Sequence, residues 1–225
     1  MKSFSHIAVI DPAVATAEVD CFNHLVALSP LPMTYHLPAL FGMHSLKSAE
    51  NQLAGIIILG SRSSVHDGLT WQEELTEWLR PKMERAIPTL GICFGHQFIC
   101  HLYGAPVGFV SPTKIKQQGF RTVRIENSRI LGKAMREGQL FVSHRETVTA
   151  VPNGFSQIGT SKENILEAFE HKTLPILTVQ AHPEATQGLL KNLNYQSTHS
   201  LNYGHQLISD FLNYIPPKSM LPRFP

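Results

Sequence analysis

The residues best suited to chemistry lie in "PTLGICFGHQFICHLYG", Pro88 to Gly104, where an apolar run leads straight into Cys93. Most free cysteines are small hydrophobes that fill core. Cys100, seven residues further on in a helical stretch, fits that description, and so does Cys21 in an amphipathic segment. Cys93 differs in its neighbours. Gly91 and Gly95 stand two residues to either side, the spacing of a sharp strand-to-helix turn that carries a nucleophile. Small flanking residues avoid clashes in such a turn, and the side chain is lifted clear of the sheet above a helix N-terminus. The unpaired N–H groups and positive dipole end there favour a thiolate and a developing oxyanion.

A nucleophilic thiol needs a base. "TVQAHPE" offers His182 at the end of an apolar run, with Glu184 two residues on and Pro183 stiffening the turn between them. In an extended segment residues i and i+2 share a face, so the Glu184 carboxylate can reach the far ring nitrogen and fix its tautomer. An isolated His-Pro-Glu is an ordinary surface turn; pairing with the Cys93 turn gives it chemical meaning. His96 reads as a first-turn helix residue rather than a second base. No phosphate loop, zinc pair or dinucleotide fingerprint occurs, so neither a cofactor nor a metal site is expected.

The elements that must position these groups read as strand–helix alternation. "HIAVID" and "GIIILG" are short apolar runs closed by turn residues, and "PTLGIC" and "LPILTVQAHPE" have the same character. Such runs mark strands buried on both faces of a parallel sheet. "MTYHLPAL" reads as a further strand. "AEVDCFNHLVAL", "TWQEELTEWLRPKMERA", "GHQFICHLYG" and "THSLNYGHQLISDFLNYI" read as helices. Thr70 is the expected N-cap of the second helix, with Glu73 completing a capping box. Between residues 119 and 171 lie several short strands separated by turn residues, which suggests an antiparallel extension. The expected fold is α/β and flavodoxin-like: a mostly parallel open sheet flanked by helices, with a small antiparallel extension. In such sheets ligands sit at the carboxyl ends of the strands, and Gly60, Cys93 and His182 all fall there.

Length and composition set the outer bounds. With 225 residues, 43% of them hydrophobic, the chain is long enough for one sizeable core, so a single domain over 1–225 is expected, with a surface tail at about 215–225. The formal net charge is +2 without a dense basic run, which gives no footprint for nucleic acid or an anionic membrane. Three cysteines at irregular spacing form no disulfide framework. The N-terminal stretch meets an acidic residue and a proline too early for a secretory signal, and no apolar run reaches transmembrane length. A cytoplasmic location is the expectation.

"GICFGHQ" together with "QAHPE" resembles the class I, or triad-type, glutamine amidotransferases, whose G-x-C-x-G-x-Q and H-P-E motifs are both complete here. "GSRSSVHDGLTWQEELTEWL" and "FVSHRETVTAVPNGF" are similar to segments of the branch that includes the amidotransferase portion of GMP synthetase. The resemblance implies that Cys93 attacks the side-chain amide of glutamine to form a γ-glutamyl thioester. His182 would move the protons and Glu184 would orient His182. The oxyanion would be held by the backbone N–H of Phe94 and one from the Gly60–Ser61 turn. Gln97 would help bind the substrate, as would the backbone around Ser143, His144 and Arg145, with the His144 ring structural. This chain has Gly60-Ser61-Arg62 where many relatives carry Gly-Gly-Pro or Asn-Gly-Pro, so a turn requiring positive φ would strain Ser61. Arg145 stands where such relatives often have glycine, and would narrow the pocket or contact a substrate carboxylate.

The leading expectation is hydrolysis of a γ-glutamyl amide, with glutamine as substrate and ammonia passed to a separate synthase, since no synthase segment follows. The alternatives are a stand-alone γ-glutamyl peptidase and, from another class, a non-catalytic regulatory module. A module without chemistry has no need of Cys93, His182 and Glu184 together.

Overall fold

Aliphatic runs too short for helices become the strands at the centre of the molecule, and amphipathic runs become the helices that cover them. The structure, a computed structural model, describes residues 5–215. The expected tail lies outside these from residue 216 onward. In chain order the first half comprises β1 (His6–Ile10), α1 (Val19–Leu28), β2 (Met33–His36), α2 (Pro38–Phe41), α3 (His44–Ser48), β3 (Leu53–Ile58), α4 (Thr70–Glu84), β4 (Thr89–Ile92) and α5 (Phe94–Leu102). The second half comprises β5 (Val107–Phe109), β6 (Gln117–Ile125), β7 (Arg136–His144), β8 (Glu146–Val148), β9 (Phe155–Ser161), β10 (Ala168–His171), β11 (Ile176–Val179), α6 (Gln187–Asn192) and α7 (Asn202–Tyr214).

The main sheet has the order β2-β1-β3-β4-β11-β10-β9-β6-β7, and β5 pairs with β8 in a separate ribbon. Strands β2, β1, β3, β4 and β11 are mutually parallel, whereas β11 to β7 pair antiparallel. The expected parallel centre and antiparallel extension are both present. The extension supplies four strands of its own, because the turn-punctuated segments join the main sheet edge to edge instead of forming a separate meander.

Strand alternation sorts the core into two layers. Ile7 and Val9 face one side of β1 with Leu25 of α1 and Leu207, Ile208 and Phe211 of α7. Ala8 and Ile10 face the other, with Trp71, Leu75 and Trp78 of α4 and Phe98 and Ile99 of α5. The two tryptophans seven residues apart are thus core, as their helical spacing predicts. The start of α4 differs from expectation by one residue. Leu69 is the N-cap, and its N–H donates to Oε1 of Gln72 at 3.3 Å, so Gln72 rather than Glu73 reaches back. "MTYHLPAL" is a strand only to His36, because Pro38 opens α2 with its fixed φ and missing N–H. No helix among the described residues is long and apolar enough to cross a membrane.

Candidate active site

Three neighbouring strands deliver the predicted residues to one edge. In the ladders Ile58 of β3 is opposite Gly91 of β4, and Ile92 of β4 is opposite Val179 of β11. The chain segments that follow therefore emerge side by side: Gly60–Ser61 after β3, Cys93 after β4 and His182 after β11. The Cys93 N–H extends the ladder by donating to the Val179 carbonyl at 2.9 Å.

Cys93 is the N-cap of α5 with φ 51° and ψ −99°, a positive-φ conformation that a side chain disfavours. The glycines at ±2 make the turn possible. A Cβ on Gly91 would lie 2.5 Å from the Gly95 carbonyl oxygen, and one on Gly95 would collide with the Ile58 carbonyl. Gly95 N–H also donates to the Leu59 carbonyl at 3.3 Å, which draws the first turn of α5 against the end of β3. Among the described residues no backbone acceptor takes the N–H groups of Phe94, Gly60 or Ser61. The Phe94 ring itself packs in the core against Phe98 and Trp71.

His182 is buried beside this turn. Its N–H donates to the Phe141 carbonyl at 2.8 Å, and its Nδ1 donates to Oε1 of Glu184 at 2.8 Å. That bond fixes the tautomer and leaves Nε2, which has no hydrogen-bond partner within the described protein. Burial disfavours a charge on the imidazole, but the Glu184 carboxylate and the Cys93 sulfur outweigh it and raise His182 well above its ordinary value.

The turn after β3 is unstrained at Ser61, which does not have a positive φ. Its hydroxyl donates to the Pro12 carbonyl at 2.6 Å and accepts from Ser63 N–H at 3.1 Å, tying the turn to the loop after β1. Serine therefore suits this position, and the strain anticipated from its sequence context is absent.

A cavity of about 790 Å³ opens at this edge. It is bordered by Gly60, Ser61, Cys93, Gln97, Ser143, His144, Arg145, His182 and Glu184. Phe94 does not line it, since its ring turns into the core. Gln97 is less free than its predicted role suggests. Its Nε2 donates to the Glu146 carbonyl at 2.7 Å and to Oε1 of Gln180 at 3.2 Å, so it also locks α5 to the segment after β7.

The His144 ring belongs to a buried network that sequence reading did not reveal. Nδ1 donates to the Glu146 carbonyl at 2.9 Å, and Nε2 accepts from Nη2 of Arg121. Burial, with the Arg121 charge, pushes His144 down to about 3, so the ring is neutral. Arg121 in turn pairs through Nη1 with Oε1 of Glu167 at 3.0 Å, both side chains being buried. Arg121 is on β6 and Glu167 precedes β10, so strand register and not local sequence joins them. His96 is likewise buried and neutral, pushed to about 3 by burial first, and its ring stacks on Phe169. Cys100 and Cys21 are buried, and burial raises both thiols. Neither borders the cavity.

The chain is 32% identical over 137 residues to a GMP synthase [glutamine-hydrolyzing] of Bacteroides fragilis, covering 60% of this chain and 25% of that protein. It is 27% identical over 192 residues to the corresponding synthase of Schizosaccharomyces pombe, covering 80% of this chain and 34% of that one. It thus spans about a third or less of the curated relatives it matches. Among solved structures, a putative GMP synthase subunit from Thermoplasma acidophilum superposes with a TM-score of 0.72 at 21% identity, covering 94% of each chain. A glutamine amido transferase from Methylobacillus flagellatus gives 0.71 at 16% identity, covering 96% of this chain and 97% of that one. Residues 34–196 match the family described as Glutamine amidotransferase class-I. This chain belongs to the class I glutamine amidotransferases.

Proposed function

We propose that the protein hydrolyses the γ-amide of glutamine, or a related γ-glutamyl bond, with Cys93 as nucleophile, His182 as acid and base, and Glu184 as the residue that orients His182. The observation that carries this reading is the 2.8 Å bond from His182 Nδ1 to Glu184, which leaves Nε2 free beside a strained, helix-capping Cys93. The raised value of His182 makes its ring a stronger acceptor for the Cys93 proton.

The reaction then balances in two halves. Cys93, its proton passed to His182, forms a C–S bond to the carbonyl carbon of the side-chain amide, and the carbonyl oxygen takes negative charge facing the N–H groups of Phe94 and the Gly60–Ser61 turn. Collapse breaks the C–N bond, with the His182 proton passing to the departing nitrogen, which leaves as ammonia or an amine. Water next attacks the thioester while His182 accepts its proton. Glutamate departs and Cys93 is regenerated. Gln97, Ser143, His144 and Arg145 line the substrate's side of the cavity.

The relatives named as GMP synthases, with the structural neighbour named as a GMP synthase subunit, support use of the ammonia by a synthase. A second reading, a stand-alone γ-glutamyl peptidase, is favoured by the cavity volume of about 790 Å³. That value lies high in the roughly 300–1,000 Å³ range of pockets for drug-sized ligands, which leaves room for a substituent on the amide nitrogen. Turnover by the purified chain on glutamine and γ-glutamyl peptides, with Cys93→Ala as control, decides between them. Slow glutamine hydrolysis alone supports the synthase-coupled reading, and fast peptide cleavage supports the peptidase. No turnover, with Cys93 no more reactive to iodoacetamide than Cys21 and Cys100, would overturn both.

A further inference from the structure

Three cations border the cavity near Cys93: Arg62, Lys116 and Arg145. They come from separate segments that the fold brings together. Gln117 pairs with His144 at the end of the β6–β7 ladder, so Lys116 and Arg145 are the next residues beyond that pair, facing each other across the mouth of the hairpin. The Arg145 carbonyl accepts from Val110 N–H at 2.9 Å, which holds this turn against the segment after β5. Arg62 arrives from the other side, on the turn that Ser61 ties to Pro12.

Among the described residues none of the three makes a salt bridge, although the cavity also has acidic lining. Three of the four acids are engaged elsewhere: Glu146 accepts from the Ser64 hydroxyl at 2.8 Å, Asp67 accepts from Ser64 N–H at 2.9 Å, and Glu184 holds His182. The fourth, Glu18, lies among Asp11, Glu184, His182 and Asn192 instead of beside the cations. The cations are close enough to act on one another: burial first, then Arg62 and Arg145, lower Lys116, against an opposing effect of Cys93. Three like charges held together without an internal counter-ion oppose folding. Such an arrangement suits a ligand that brings the missing negative charge, and guanidinium groups match carboxylates in geometry as well as sign.

We propose that Arg62, Lys116 and Arg145 form a carboxylate-binding pole of the cavity, and that the preferred substrates are γ-glutamyl compounds carrying more carboxylates than glutamine does. This rests on the γ-glutamyl reading above and names the substrate class for it. One cation suffices for the single α-carboxylate of glutamine. The others are matched by an acidic group elsewhere on the substrate, as in a γ-glutamyl dipeptide with an acidic second residue.

The test is a binding series on the Cys93→Ala protein, which separates recognition from turnover. Calorimetry with γ-Glu-Ala amide, γ-Glu-Ala and γ-Glu-Glu raises the carboxylate count one step at a time. Affinity is expected to rise by about tenfold at each step, in line with a charge-assisted hydrogen bond. Arg62→Gln and Lys116→Gln, each added to Cys93→Ala, are expected to compress that gradient at least several-fold while thermal melting confirms folding. Equal affinities across the series, or a gradient unchanged in both variants, would overturn the pole. Absence of turnover by wild-type protein on all of these compounds would count against the hydrolase reading instead, and the binding series would still decide the pole.

Discussion

A methyl group placed on Gly60 would lie 2.8 Å from Cε1 of His182 and 3.6 Å from Cβ of Cys93. Gly60 is thus the residue whose lack of a side chain leaves room for the imidazole, and its φ is not positive, so alanine meets no backbone penalty there. Gly60→Ala is expected to displace the ring with little change in melting temperature and to lower kcat/KM by about a hundredfold, the cost of an ångström-scale misplacement. Full activity in that variant would show that the ring does not need its observed position.

Cys93 holds a conformation that costs about 1–3 kcal/mol for a residue with a Cβ. Alanine keeps that strain and glycine releases it. Cys93→Gly is therefore expected to be more stable than Cys93→Ala by about 1 kcal/mol or more in urea denaturation, with both inactive. Equal stability of the two would mean that the turn stores no strain.

Removing the Glu184 carboxylate takes away the largest influence that opposes burial at His182. In Glu184→Gln the imidazole is expected to titrate at lower pH than in the wild type, read by NMR of the ring. The turnover number on glutamine is expected to fall about 10²–10⁴-fold, the usual contribution of a well-poised acid–base group. A titration that does not move would remove Glu184 from its proposed role.

Arg121 and Glu167 form a buried pair, and Arg121 also donates to His144. Arg121→Met strands a buried carboxylate and is expected to cost about 3–5 kcal/mol, most of which Glu167→Leu should restore in the double variant. A double-mutant cycle in urea measures this. Additive effects would show that the two charges do not depend on each other.

Three buried histidines give stability a pH dependence. Burial is the leading cause that pushes His36 to about 4 and both His96 and His144 to about 3. Each binds a proton more readily unfolded than folded, so the stability it lends is complete above about pH 6.5 and is lost as pH falls toward the folded value. His182 has the opposite sign. Its raised folded value makes its contribution complete below about pH 6.5 and lost as pH rises through that value. Melting temperature is therefore expected to peak near neutrality. His144→Gln should reduce the acid-side slope by about 1.4 kcal/mol per pH unit between pH 4 and 6. An unchanged slope would mean that His144 is already protonated when folded.

The parts of the site that are legible in the sequence are those governed by short-range rules. Gly91 and Gly95 announce the turn by their spacing about Cys93, although the Ile58 carbonyl that excludes a Cβ at Gly95 comes from a neighbouring strand. His182 and Glu184 sit on one face because extended backbone alternates. The Arg121–His144–Glu167 network leaves no such trace, since its members meet through the register of β6, β7 and β10. Lys116 gives no signal until the hairpin places it across from Arg145. Ser61 escapes a sequence reading for a related reason: its fitness depends on the Pro12 carbonyl, supplied by a loop almost fifty residues earlier. The size of the antiparallel extension is also obscured, because short strands punctuated by turns do not reveal which edge they will join.

The hydrogen bond from His182 N–H to the Phe141 carbonyl has a consequence for the order of assembly. His182 is held by a strand of the antiparallel extension, tens of residues away in sequence. Contacts of that kind form late, because loop closure precedes any gain from them. In a nascent or partly refolded chain Cys93 therefore exists before His182 is held beside it. Under the proposed mechanism, chemical competence arrives only with these last tertiary contacts.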